Sequence, residues 1–186
     1  MQSKKPETIL FQGKIIEVVS QEQSDGRKFE IARRSPGVRM IITDGSRILI
    51  TKEWRNEQNG FDYRLPGGKV FDSLREYEEK LQSGGDMIQY AEEAIRRECR
   101  EETGLIAHTL KLFSISRAGA TIEWDLYYFI VDTFEESPKG QELEHGEHIT
   151  PEWIAIDDVK KMCLDGRIQE DRTVGVLLRY ILCNSK

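Results

Sequence analysis

The sequence predicts an α+β sandwich, a mixed sheet held between helices. Two observations predict it. Aliphatic strand segments with turn residues between them fill the first third of the chain and return after residue 104. One long amphipathic segment interrupts them, and two more close the chain. At 186 residues the chain is expected to form one domain with a sizeable core. Its net charge of −6 argues against a nucleic-acid or anionic-membrane binder. An acidic protein that takes an anionic substrate needs a cation to bridge the two. The 3 cysteines, Cys99, Cys163 and Cys183, are widely spaced and lack zinc-site spacing. They read as reduced thiols, Cys99 as packing. With no secretion signal and no bilayer-length apolar run, a cytoplasmic location is expected.

Taken in order, residues 1–7 are polar and expected to be mobile. Residues 9–19 read as a strand, Ser24-Asp25-Gly26-Arg27 as a hairpin turn, and residues 28–34 as the returning strand. Residues 37–43 and 47–52 form a second strand–turn–strand unit around Asp44-Gly45. A polar loop over 56–62 leads to Leu65-Pro66-Gly67-Gly68-Lys69. One Pro and two Gly make a tight turn there, whose backbone can approach a ligand closely. Residues 71–85 contain a short helix, SLREYEEKLQ, and end in Gly84-Gly85.

The central helix is expected over residues 86–105. Asp86 can cap it, with Gln89 at the capping-box position, and Gly104 stops it. At 100° per residue Met87, Ile88, Ala91, Ala94, Ile95 and Cys99 share one face. Glu98 and Glu102 fall on that face and Glu101 borders it, while Gln89, Glu93, Arg96 and Arg100 point away. A charged carboxylate on a buried stripe costs several kcal/mol unless it is paired. Arg97 reaches Glu101 at i+4, but one guanidinium does not neutralise three carboxylates. A hard divalent cation, Mg²⁺ or Mn²⁺, would. The competing reading is a charged helix end fraying into water.

After the helix, residues 105–117 and 120–134 alternate as two long antiparallel strands joined by Ser116-Arg117-Ala118-Gly119. Residues 135–148 make a polar, acidic loop of the kind that carries function on a rigid scaffold. His145 and His148 read as ordinary loop histidines. Residues 153–156 form a short strand. Asp157 or Asp158 caps a helix running to about Asp165 and ended by Gly166. Residues 169–183 form a last helix with Val174, Leu177, Leu178, Ile181 and Leu182 inward.

Gly68, followed by Arg97-Glu98-Cys99-x-Glu101-Glu102-x-Gly104-Leu105, resembles the Nudix box, G-x5-E-x7-R-E-U-x-E-E-x-G-U. The second half matches without a gap. Two departures stand out: Gln89 replaces the first Glu of the box, and 15 extra residues, about 71–85, separate it from Gly68. Gln serves as well as Glu if that position is a helix cap. The insert either lids the substrate pocket, the favoured reading, or decorates the surface. The resemblance spans about residues 13–182 and implies a Nudix-type α/β/α sandwich with an N-terminal antiparallel hairpin subdomain over residues 1–36. In ADP-ribose pyrophosphatase-like members that hairpin packs on a second subunit, so a homodimer is implied. The Nudix domain itself would cover residues 37–186.

The implied activity is Mg²⁺-dependent hydrolysis of the pyrophosphate of an NDP-sugar or ADP-ribose, giving a nucleoside monophosphate and a sugar phosphate. The resemblance makes Glu98, Glu102 and Glu101 metal ligands, with the Gly67 carbonyl a further candidate, and Arg97 the residue that orients them. Glu147, in Gly146-Glu147-His148-Ile149, matches a residue that binds metal or takes the proton from water; Glu144 and Glu142 are fallbacks. Arg55 matches the phosphate-holding Arg of a Q-x-R motif in which Glu53 replaces Gln, although a surface ion pair would also explain it. Arg34, Arg33 and Gly68 complete the substrate candidates. The Pro found about 16 residues past the box in ADP-ribose hydrolases is missing, which counts against ADP-ribose itself more than against the reaction class. A non-catalytic nucleotide sensor and a (d)NTP-sanitising pyrophosphohydrolase are the rival readings.

Overall fold

The computed structural model describes residues 6–56 and 59–184. The expected mobile tail lies outside them at residues 1–5, as do Glu57 and Gln58 of the polar loop. Glu7 already belongs to a strand. The elements run β1 (Glu7–Gln12), β2 (Ile16–Glu22), β3 (Lys28–Arg34), β4 (Gly37–Ile42), β5 (Arg47–Arg55), β6 (Gly60–Arg64), α1 (Leu74–Gln82) and α2 (Met87–Thr103). They continue with β7 (Leu105–Ser116), β8 (Ile122–Glu123), β9 (Leu126–Glu136), β10 (Ile149–Ala155), α3 (Ile156–Leu164) and α4 (Asp171–Asn184). No helix among the described residues is long and apolar enough to cross a membrane.

Three sheets form, in the orders β1-β2-β3-β8, β10-β5-β6 and β4-β9-β7. β4 pairs with β9 in parallel, which explains why GVRMII is buried along its whole length. Its side chains alternate between two cores. Val38, Met40 and Ile42 pack with Ala91, Ala94, Ile95 and Cys99 of α2. Ile41 instead packs with Ile48 and Ile50 against Val159 and Met162 of α3 and Leu177 and Ile181 of α4. Sheet residues therefore lie between α2 on one side and α3 with α4 on the other, the sandwich that the element order predicts.

Several boundaries differ from expectation. The single strand over 9–19 is two, because the chain turns at Gly13, whose N–H donates to the Ile16 carbonyl at 2.9 Å. The second long strand after α2 is also two. β8 leaves the central sheets to pair with β3, and Trp124-Asp125 carries the chain back to β9. Residues 60–62 of the expected loop belong to β6. Asp86 caps α2 by accepting from the Ile88 N–H at 2.9 Å, and Gly104 closes it at φ 69°. Gln89 makes no capping bond to Asp86, and its side chain is exposed. Ile88 and Leu182, expected inside, are 38 % and 62 % exposed. Asp157 and Asp158 lie in the first turn of α3, whose N-cap is Ala155.

Candidate active site

The Pro-Gly-Gly turn is built against two elements at once. The Val38 N–H donates to the Gly68 carbonyl and the Met40 N–H to the Pro66 carbonyl, each at 2.9 Å, so the turn lies along β4. Gly67 sits at φ 144°, and a β-carbon there would meet the Val38 carbonyl and lie 2.9 Å from Arg39 Cα. Only glycine fits both constraints. Gly68 is glycine for a different reason: a β-carbon would lie 2.5 Å from Glu98 Cδ, in space taken by the carboxylate.

From the other side α2 presents its glutamates to the turn. Glu102 is 6 % exposed, and its Oε2 accepts from the Gly67 N–H at 2.6 Å. Burial, with Glu53 and Glu98 nearby, raises its pKa well above the carboxylate range, against the pull of Gly67 and Arg39. Burial likewise raises Glu98, which Glu101 and Glu147 push further and Arg97 opposes. Arg97 sits where the helix periodicity places it. Nη2 donates to Glu98 Oε1 at 3.0 Å and to the Lys69 carbonyl at 2.9 Å, and Nε lies 3.8 Å from Glu101 Oε2. It thus ties the helix to the turn while holding the carboxylates.

Gly67, Gly68, Glu98, Glu101 and Glu102 line a cleft of about 470 Å³ that also receives Glu53, Glu147, Arg34, Arg39, Arg55 and Arg64, while Arg97 stands behind its wall. Glu147 comes from an exposed turn whose Glu144 N–H donates to its Oε2 at 3.0 Å. Glu144 lines the cleft, whereas Glu142 pairs with Arg100 at 3.4 Å outside it. Arg55 donates to Glu53, so its expected ion pair exists inside the cleft rather than on the surface. Arg34 lies over the Trp124 ring at 4.3 Å; burial, Arg39 and Arg172 lower its pKa. Arg33 is held by Glu7, Glu17 and Glu123 and does not line this cleft.

The cleft therefore carries both signs of charge. Glu53, Glu98, Glu101, Glu102 and Glu147 line it together with Arg34, Arg39, Arg55 and Arg64. Among the described residues, the buried nitrogens Arg34 Nε and Arg55 Nε of the cleft, and Arg172 Nη1 beyond it, have no hydrogen-bond partner, whereas Arg39 Nε has Glu170 at 3.5 Å. Unsatisfied buried donors of this kind are costly unless an anion takes them. The NUDIX domain family model matches residues 33–174. The chain belongs to the NUDIX family. No curated protein matches it in sequence. A crystal structure of an ADP compounds hydrolase is similar to it with a TM-score of 0.64 and 17% identity, over 98% of this chain and 95% of that one.

Within this Nudix domain, Gln89 lies on the exposed face of α2 and lines no part of the cleft, so the substitution removes no carboxylate from the site. No residue of the insert at 71–85 lines this cleft. Sequence reasoning missed two groups. Arg39 is 8 % exposed; its Nη1 donates to the Gly67 carbonyl at 2.9 Å and its Nε lies 3.5 Å from Glu170. A guanidinium thus already shares the carbonyl expected to face a metal. Glu53 is 6 % exposed and accepts from Thr51 Oγ1 at 2.8 Å. The signal for it was the strand period, since Thr51, Glu53 and Arg55 share one face.

All the acidic groups here are hard oxygen donors, the type that suits Mg²⁺ or Mn²⁺. Among the described residues no three His, Cys, Asp or Glu close on one point by themselves. Mg²⁺ needs no such cage, because it keeps several waters and binds through one or two carboxylates plus substrate phosphate. The buried, mutually repelling Glu98 and Glu102 fit that mode of binding.

Proposed function

We propose that this Nudix protein hydrolyses the pyrophosphate bond of a nucleoside diphosphate derivative, an NDP-sugar or ADP-ribose, with Mg²⁺ as cofactor and Mn²⁺ as substitute. The meeting in one cleft of buried glutamates with guanidinium groups whose Arg34 Nε and Arg55 Nε lack hydrogen-bond partners carries this reading. A diphosphate is the ligand that satisfies both, bonding directly to the guanidinium groups and reaching the glutamates through a cation. The similarity to an ADP compounds hydrolase supports the same reading.

Glu98 and Glu102 would hold the metal, with Glu101 beside them. Bound there, it would polarise phosphoryl oxygens and lower the pKa of water. The protein's own part is positioning and electrostatics. Gly67 fixes Glu102, Arg97 orients Glu98 and Glu101, and Gly68 leaves room for the Glu98 carboxylate. Arg55 and Arg34 bind phosphate, with Arg39 behind them. Glu147 takes the proton from the attacking water or adds a ligand.

Release of phosphate from a panel of NDP-sugars and ADP-ribose, coupled to a phosphatase and run with and without Mg²⁺, tests the reading. Metal-dependent release of a nucleoside monophosphate is expected. Tight binding with no turnover on any member would reject hydrolysis in favour of a sensor.

Residues 1–36 are further proposed as a dimerisation subdomain, supported by exposed Ile9, Leu10 and Phe11 on β1.

A further inference from the structure

The insert at residues 71–85 is the largest part of the chain that the family pattern leaves without a role. Its helix is anchored: Ser73 accepts from the Glu76 N–H at 3.2 Å, and Phe71 stacks on Tyr77 at 5.7 Å and meets Tyr90 edge-on at 5.4 Å. Tyr77, Glu78 and Leu81 of α1 form one wall of a second cleft, about 420 Å³, whose other walls include Arg117, Ile122 and Asp125. This cleft and the acidic one share Arg34, Pro36 and Trp124.

The junction is firmly built. Two guanidinium groups engage the Trp124 ring, Arg34 at 4.3 Å and Arg172 at 4.9 Å. Arg172 also donates to the Trp124 carbonyl at 2.9 Å and the Ser116 carbonyl at 2.6 Å. Trp124 Nε1 is buried and has no partner among the described residues.

Resting on the diphosphate reading above, we propose that the second cleft holds the glycosyl half of the substrate, with the insert as its outer wall. A diphosphate held between the glutamates and Arg34 carries one organic group at each end, and the end beyond Arg34 enters this cleft. The chemistry there suits a polyol. Glu78 and Asp125 accept from hydroxyls, Arg117 donates, and Leu81 and Ile122, 47% and 45% exposed, cover the carbon face of a sugar ring. A nucleobase is served less well, since Trp124 is already engaged by guanidinium groups and Tyr77 is stacked on Phe71. Exposed aromatic surface lies elsewhere around the main cleft. Trp54 and Phe61, 37% and 54% exposed, meet edge to face at 5.2 Å in a depression shared with Glu147 and Ile149; Lys52 Nζ lies over the Phe61 ring at 4.5 Å, so Trp54 is the ring left for a base.

The test is the ratio of kcat/KM for a hexose ester of one nucleoside diphosphate to that for its methyl ester, measured with Mg²⁺. Both rates come from the same preparation, so loss of folded enzyme cancels. The wild-type ratio should be well above one. Leu81→Trp, which fills the cleft, should lower it about tenfold, and Glu78→Ala, which removes an acceptor, about fivefold. A wild-type ratio near one, or both variants within twofold of wild type while both esters turn over, overturns the glycosyl cleft and leaves the hydrolase reading standing. Hydrolysis of neither ester overturns both.

Discussion

At the scale of single residues, the two adjacent glycines of the turn separate stability from activity. A methyl group on Gly67 meets backbone, at a φ of 144° that L-residues rarely adopt. Gly67→Ala should therefore cost about 2 kcal/mol and lower Tm by roughly 4–8 °C. A methyl group on Gly68 meets the far end of a flexible side chain, the Glu98 carboxylate. Gly68→Ala should melt within about 2 °C of wild type, because side-chain displacement is the cheaper response. Its turnover should nonetheless fall at least tenfold, because the carboxylate is moved. Equal melting points for the two variants would contradict this division. The turn and the glutamates were legible because the box has a fixed spacing on a 3.6-residue helix. Arg39 was not, because its partners are the Gly67 carbonyl and Glu170, distant in sequence, and strand alternation says nothing about a guanidinium buried between two cores.

At the scale of elements, helices were easier to place than strand breaks. Asp86, Gly104 and the apolar period placed α2 at Met87–Thr103. Nothing local marks where β8 ends and β9 begins, since the division is made by β8 pairing with β3 far back in the chain. That same departure carries Trp124 to the cleft, so its role was hidden with it. The N-terminal sheet gives the element-scale prediction. Ile9, Leu10 and Phe11 are 56%, 53% and 55% exposed on β1, a cluster that monomers rarely leave to water. Sedimentation should show a dimer for the wild type and a monomer for Phe11→Asp. Identical sedimentation of the two would remove β1 from the interface.

At the scale of the whole molecule, the site is held at a cost to folding. Burial and neighbouring glutamates raise the pKa of Glu102 well above its ordinary value of 4.5, and burial raises that of Glu98. A carboxyl raised in the folded state contributes its full stability below the unfolded value and loses it as pH climbs through the folded value. Glu102→Gln keeps an oxygen for the Gly67 N–H and has no charge to bury. Without metal, its Tm should therefore exceed that of wild type by a margin that grows from pH 5 to pH 8. Saturating Mg²⁺ should close the gap, since a bound cation favours the ionised carboxylate. A margin independent of pH would contradict the burial account.

The same variant decides the central claim, that the carboxylates ending α2 hold a divalent cation against a diphosphate. Turnover of wild type and Glu102→Gln on the best substrate of the NDP-derivative panel, at saturating Mg²⁺, is the direct measurement. A folded Glu102→Gln protein with turnover lowered at least ~100-fold, about 2.7 kcal/mol of barrier, is the predicted result. Near-wild-type hydrolysis by that protein would contradict it.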